Sequence, residues 1–165
     1  MKKGIYFLLV LIGLTSCSQD IVLNSTKSFQ GVMNNEFWKA TDATATISSG
    51  NSLNIVAVTF IDQMTLKVPL PTTLVHQKDA NSYITYALGA SDLKKASYTK
   101  TLNNVITNYQ TGFGIGDGQI VITDYDGTTV SGTYRFNAKN TNSASQEAPI
   151  LNLQNGVFYK IPIVP

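Results

Sequence analysis

Residues 118–138, GQIVITDYDGTTVSGTYRFNA, decide the fold class. In the second half, Val130, Tyr134, Phe136 and Ala138 share one face with Gly132, while Ser131, Thr133, Arg135 and Asn137 share the other. A period of two sets one face of a strand in a core and the other in water. The run QIVIT precedes it, and Asp124-Tyr125-Asp126-Gly127 links the two. An Asp-Gly pair between alternating runs is the strongest short-range hairpin signal, because Gly takes left-handed angles freely and Asp bonds to its own backbone.

The same grammar extends outward. Met64, Leu66, Val68 and Leu70 alternate with Thr65, Lys67 and Pro69, and Val157, Tyr159, Ile161 and Ile163 repeat every second residue near the end. Leu53 to Ile61 (LNIVAVTFI) is apolar on nearly both faces, which predicts a strand covered on both sides. Turn formers punctuate these runs at Asn34-Asn35, Ser49-Gly50-Asn51-Ser52, Asp62-Gln63 and Gly116-Asp117-Gly118. Ala90 to Ala96 suits a single helical turn. Thr99 to Thr111 suits a strand or a long loop, and Lys139 to Pro149 an exposed loop. No longer helical stripe and no internal repeat is present. The count of nine or ten short strands predicts an all-β domain, an antiparallel sandwich or partly closed barrel, over residues 29–165.

Ahead of that domain, MKKGIYFLLVLIGLTSC (Met1 to Cys17) has two lysines, an apolar run from Ile5 to Leu14, and the small pair Thr15-Ser16. This is the three-part layout of a secretory signal, too short in its apolar run to cross a bilayer core. Leu14-Thr15-Ser16-Cys17 resembles the lipobox of bacterial lipoproteins, in which the cysteine is acylated and becomes residue one. Removal of residues 1–16 leaves 165 − 16 = 149 residues, and Cys17 is the sole cysteine. An unpaired cysteine in an exported chain calls for a role, and acylation supplies one. Two or three acyl chains hold a protein at a membrane essentially permanently, at roughly 0.8 kcal/mol per buried methylene. By resemblance to enteric lipoprotein sorting, where an aspartate directly after the cysteine favours inner-membrane retention, Ser18 implies the outer membrane, with the domain on its periplasmic or its surface face. Residues 17–28 form the lipidated cysteine and a mostly polar tether.

Charge narrows the function classes. The formal +2 comes from 12 basic against 10 acidic residues, and Lys2 and Lys3 belong to the signal, so the mature balance is 10 against 10. Nucleic-acid binding needs a concentrated positive field, and the basic residues are scattered. One cysteine and one histidine exclude a zinc site built on several such ligands. His76, the only histidine, sits in the polar stretch Val75-His76-Gln77-Lys78 and reads as a solvated loop residue; no G-x-S-x-G turn accompanies it. No cofactor is expected.

Two weaker chemistries remain. Asp124 and Asp126 resemble the opening of a calcium loop, with Asp117 a possible third ligand across the hairpin. The two glutamates, Glu36 and Glu147, are remote in sequence, and a plain turn explains the same aspartates. Trp38, Tyr83, Tyr86 and Tyr109, with Tyr98 and Tyr125, could form a stacking platform for a sugar or other ligand, or fill the core with their polar ends at its rim. A period of two sets Tyr83 and Tyr86 on opposite faces of one strand. A glycosidase would need paired carboxylates at a cleft, and the aspartates mostly occupy turns.

Four segments together are familiar: Phe37-Trp38-Lys39-Ala40, Gly118 to Gly127, Val130 to Ala138, and Asn155 to Phe158, after the lipobox. Their order resembles an uncharacterised family of Bacteroidota lipoproteins, over roughly Gln30 to Ile163. The resemblance implies an all-β domain and carries no catalytic or binding residue with it. The expectation is therefore a lipid-anchored envelope protein whose non-enzymatic β domain binds a ligand or an envelope partner, or has a structural role. The alternative is a glycan-binding or glycan-hydrolysing accessory protein.

Overall fold

A computed structural model describes residues 26–103, 105–142 and 146–165. The signal segment, Cys17 and the tether up to residue 25 lie outside the described residues. Eleven strands follow one another: β1 (Ser28–Met33), β2 (Glu36–Lys39), β3 (Asp42–Ser48), β4 (Ser52–Val58), β5 (Asp62–Pro69) and β6 (Ile84–Leu88). They continue with β7 (Lys95–Leu102), β8 (Val105–Gln110), β9 (Asp117–Tyr125), β10 (Thr129–Asn140) and β11 (Ile150–Val164). The all-β expectation holds, with eleven strands where the sequence suggests nine or ten.

Hydrogen bonding runs in the order β2-β1-β11-β3-β4-β5-β7-β8-β10-β9-β6, and an added β10–β11 ladder closes β11-β3-β4-β5-β7-β8-β10 into a ring. The ring is narrow at two seams. The tail of β10 pairs Lys139 and Asn140 with Gln110 and Tyr109 of β8, and the tail of β11 pairs Ile163 and Val164 with Ala45 and Thr46 of β3. Because β10 and β11 are antiparallel, their two tails make seams at opposite corners. The β11–β3 seam is parallel, the exception in an otherwise antiparallel sheet.

The core is aromatic at its centre. Phe29 stands 4.9 Å from Tyr134 and 6.0 Å from both Phe158 and Trp38, ring centre to ring centre. Trp38 in turn meets Tyr98 of β7 edge-on at 6.5 Å, so edge strand β2 packs against the far side of the ring. Leu53, Ile55, Met64, Leu66, Ile120, Ile122, Leu153 and Ile161 complete a fully buried aliphatic shell.

Turn chemistry explains the local geometry. Asn34 and Asn35 take φ of 49° and 70° between β1 and β2, the left-handed pair that a two-residue hairpin turn requires. Around Asp126 the three-residue link between β9 and β10 is built from its own carboxylate. Oδ1 accepts from the backbone N–H groups of Thr128 (2.7 Å) and Thr129 (2.6 Å) and from the Thr128 hydroxyl, and Oδ2 from the Thr129 hydroxyl.

Several expectations need correction. Leu53 to Ile61 is not covered on both sides: β4 ends at Val58, Leu53, Ile55 and Ala57 point inward, and Phe60 and Ile61 are exposed at the following turn. Ala90 to Ala96 forms no helix: a single turn at Asp92-Leu93, closed by the Lys94 N–H on the Ser91 carbonyl, leads into β7, and a three-residue 3-10 turn at Ala80–Ser82 is the one helical element among the described residues. Of the two readings of Thr99 to Thr111 the strand one holds, in the β7–β8 hairpin, whereas Lys139-Asn140 belong to β10 rather than to the loop. Val157, Tyr159, Ile161 and Ile163 do not share a face. Lys160, with φ of 46°, bulges opposite Ser131, whose hydroxyl accepts its N–H at 2.9 Å. One extra residue flips the parity, so Phe158 and Ile161 both point inward while Val157 and Tyr159 do not.

Candidate functional site

Thr59 shapes the β4–β5 turn. Its backbone N–H donates to the Asp62 carbonyl at 2.8 Å, and its hydroxyl accepts the N–H groups of Ile61 and Asp62 at 3.3 and 2.9 Å. A turn closed in this way by its first side chain leaves Phe60 and Ile61 at the apex, and Phe60 is 99% exposed. The neighbouring β7–β8 hairpin turns at Asn103 (φ 49°) and exposes Leu102, Val105 and Ile106. The Thr101 N–H donates to the Ile61 carbonyl at 2.8 Å and ties the two hairpins side by side.

Two shallow grooves meet at Asn103. An outer groove of about 540 Å³ runs between the hairpins over Val58, Phe60, Gln63, Thr99 and Thr101. An inner one of about 350 Å³ lies over Leu102, Val105 and Thr107 beside Gln146 and Glu147. Lys100 and Glu147 form an ion pair of 3.3 Å across the inner groove. Where the β4–β5 turn closes, Trp38 Nε1 donates to Asp62 Oδ2 at 3.4 Å, and Asp62 Oδ1 is buried with no hydrogen-bond partner. Burial pushes the neighbouring Tyr98 phenol well above its ordinary pKa, and the Asp62 carboxylate adds to the rise.

The N-terminal segment enters at this same end. Lys27 pairs with Asp42, at the start of β3, and donates to the Ala43 carbonyl at 3.3 Å. That contact holds the Asp42 carboxyl below the usual carboxylate range, helped by the Ala43 N–H. Asp42 is in register with Val58, two residues before Phe60.

The residues singled out from sequence are dispersed. Trp38, Tyr86, Tyr98, Tyr109 and Tyr125 are buried. Tyr86 and Tyr109 donate their hydroxyls to the carbonyls of Pro69 (2.9 Å) and Ala148 (3.0 Å), and burial raises both phenols. Tyr83 lies outside β6, next to the 3-10 turn, and donates to the Gln77 carbonyl at 2.7 Å. They form no open stacking face, and Tyr83 and Tyr86 do not share a strand. His76 is exposed, its N–H donating to the Ser82 hydroxyl at 3.1 Å.

The aspartates serve turns. Asp79 accepts the Asn81 N–H, Asp92 the Phe113 N–H, and Asp117 the Asn137 amide. Desolvation alone would raise the Asp126 pKa, but its four donors from Thr128 and Thr129 hold it down to about 2. Asp117 and Asp124 sit at opposite ends of β9, about 23 Å apart for seven extended residues, so Asp117 does not join the pair across the hairpin. Among the described residues, no three His, Cys, Asp or Glu side chains converge on a metal-sized site.

The exposed apolar apices escape sequence reading because Phe60 and Ile61 sit in an apolar run and look like strand interior. The one signal is the hydroxyl before them and the acid after them, T-F-I-D. No curated protein and no solved structure matches this chain. A family profile, the domain of unknown function DUF6252, matches residues 25–162, from just before β1 to the last residues of β11. An uncharacterised family was expected over nearly the same residues, and the chain belongs to the DUF6252 family.

Proposed function

We propose that the protein is a lipoprotein of the bacterial cell envelope, held in the outer membrane by acyl chains on Cys17. Its β domain is a non-enzymatic module that engages a ligand or partner through the paired β4–β5 and β7–β8 hairpins. The observation that carries the anchor is the placement of the sole cysteine directly after Leu14-Thr15-Ser16, behind a basic and then apolar leader. What supports a binding role is the exposure of five large apolar side chains on two adjoining hairpins, a cluster that water disfavours. A hydrolase draws less support, since Asp42, Asp79, Asp92, Asp117 and Asp126 are committed to turns, strand ends or ion pairs.

Labelled palmitate tests the anchor: the parent chain takes it up, and Cys17→Ser leaves an unprocessed precursor without label. Equal labelling of both would refute the lipobox. Calorimetric titration with glycans, peptides and envelope extracts tests the binding role, and flat traces throughout would count against a soluble ligand.

A further inference from the structure

We propose that the apices of the β4–β5 and β7–β8 hairpins rest on the bilayer that holds the anchor, with Phe60, Ile61, Leu102 and Val105 lowered into the boundary between headgroups and acyl chains. The inference rests on the lipoprotein reading above and names the partner of the same site: a phospholipid surface.

Three observations carry it. Phe60 is 99% exposed, and Ile61, Leu102, Val105 and Ile106 are exposed on the same two hairpin ends, which the Thr101–Ile61 hydrogen bond joins. Such a patch gains free energy wherever apolar surface leaves water. Second, the described chain starts at this end, with Lys27 fixed to Asp42 and Ala43 beside Val58. From Cys17 to Thr26 there are nine residue steps, at most about 30 Å when fully extended. An anchor on so short a lead keeps this end of the domain facing the lipid and raises the local concentration of bilayer around the apices.

The third observation is charge. Lys27 is matched by Asp42 and Lys100 by Glu147, and Lys39, in the groove that Lys27 lines, offsets the Asp62 carboxylate, so no excess of negative charge opposes an anionic surface. Behind the apolar tips, Gln63, Thr99, Thr101 and Asn103 of the outer groove stand at the depth of the headgroups and offer them hydrogen bonds. A second exposed pair, Leu93 and Phe113, lies on the loops at the other end of β7 and β8. Eight residues of β7 put it about 25 Å away, so one bilayer cannot take both ends.

The test uses the full acylated chain in vesicles of phosphatidylcholine and phosphatidylglycerol. With Cys17 acylated, a cysteine introduced as Phe60→Cys, Val105→Cys or Ser49→Cys is the one free thiol for a nitroxide. Both tip positions are exposed, and an unchanged Trp38 emission verifies that each variant is folded. Collision with a water-soluble nickel chelate should fall at least threefold at positions 60 and 105 relative to position 49, while collision with oxygen dissolved in lipid rises. Equal nickel access at all three sites, with palmitate incorporated, overturns the docking and leaves the anchor standing. Absence of palmitate overturns the anchor, and the docking with it. Protection that survives detergent and grows with protein concentration marks contact between copies of the chain and also overturns the proposal.

Discussion

Gly156 of β11 lies directly across the ladder from Tyr134 of β10, and the phenol ring occupies the space a side chain at 156 would need. A Cβ built there would stand 2.5 Å from two ring atoms. The ring is held from its far end, where the hydroxyl donates to the Gln30 carbonyl at 3.1 Å, and by a tilted contact with the Phe29 ring. Gly156→Ala should therefore destabilise the domain by about 2–3 kcal/mol, in the range of overpacked cores. Combining it with Tyr134→Leu should cost less than the sum of the two single changes, a non-additivity that urea midpoints will read. Strict additivity would mean that the ring moves aside freely.

Asp126 organises the β9–β10 turn with both carboxylate oxygens. Asp126→Ala removes four acceptor contacts at an exposed site and should lower stability by about 1–2 kcal/mol. The pH dependence has a definite sign. Because the folded carboxyl is held at about 2, below its ordinary value, its contribution is complete above about pH 4 and fades as the pH falls toward 2. Thermal melts of parent and variant should accordingly converge in that acid window. Parallel curves from pH 7 to pH 2 would remove the carboxylate from this role.

At the β1–β2 turn the second left-handed residue is Asn35, with φ of 70°. Glycine takes that conformation without strain, so Asn35→Gly should raise stability by about 0.5 kcal/mol. Its neighbour behaves differently. The Asn34 side chain accepts the Asn152 N–H at 3.0 Å and its N–H donates to the Asn152 carbonyl at 2.9 Å, fastening the turn to β11. Asn34→Gly should lower stability despite the same favourable backbone angle. Melting temperatures moving in the same direction for both variants would contradict this reading.

Trp38 is the one tryptophan, and its indole N–H donates to Asp62 Oδ2 at 3.4 Å, with the Tyr98 phenol a second neighbour of the same carboxylate. Trp38→Phe leaves a carboxylate whose other oxygen already lacks a partner, at a cost of about 1–2 kcal/mol. Asp62→Asn in that background should recover part of the loss, since an uncharged amide is easier to keep from water. Denaturant midpoints of the two singles and the double variant measure the coupling; zero coupling would sever the pair.

What could be read in the sequence is what is written locally. The alternation in β5 and β10 and the Asn34-Asn35 and Asp126-Gly127 turns each depend on residues within a few positions of one another, and each is found where expected. The bulge at Lys160 was not legible, because a lysine carries no mark of a left-handed backbone and the bulge answers to Ser131 on another strand. Nor was the parallel seam between β11 and β3, which joins residues more than a hundred positions apart. The candidate site was hidden for a related reason: the exposure of Phe60 depends on where β4 stops, and an apolar run does not announce its last paired residue.

Strand β11 is synthesised last and borders the first strand, the third and the tenth. A ribosome releases its fifteen residues only after everything they must join has already emerged. Phe29 and Ala45 then wait, each with one strand edge unpaired, for Phe158 and Ile163, so the domain cannot be completed from its amino terminus forward. A chain stalled before Ile150 is an open ribbon with sticky borders, and its safety during manufacture depends on whatever shields it until the final stitch is in place.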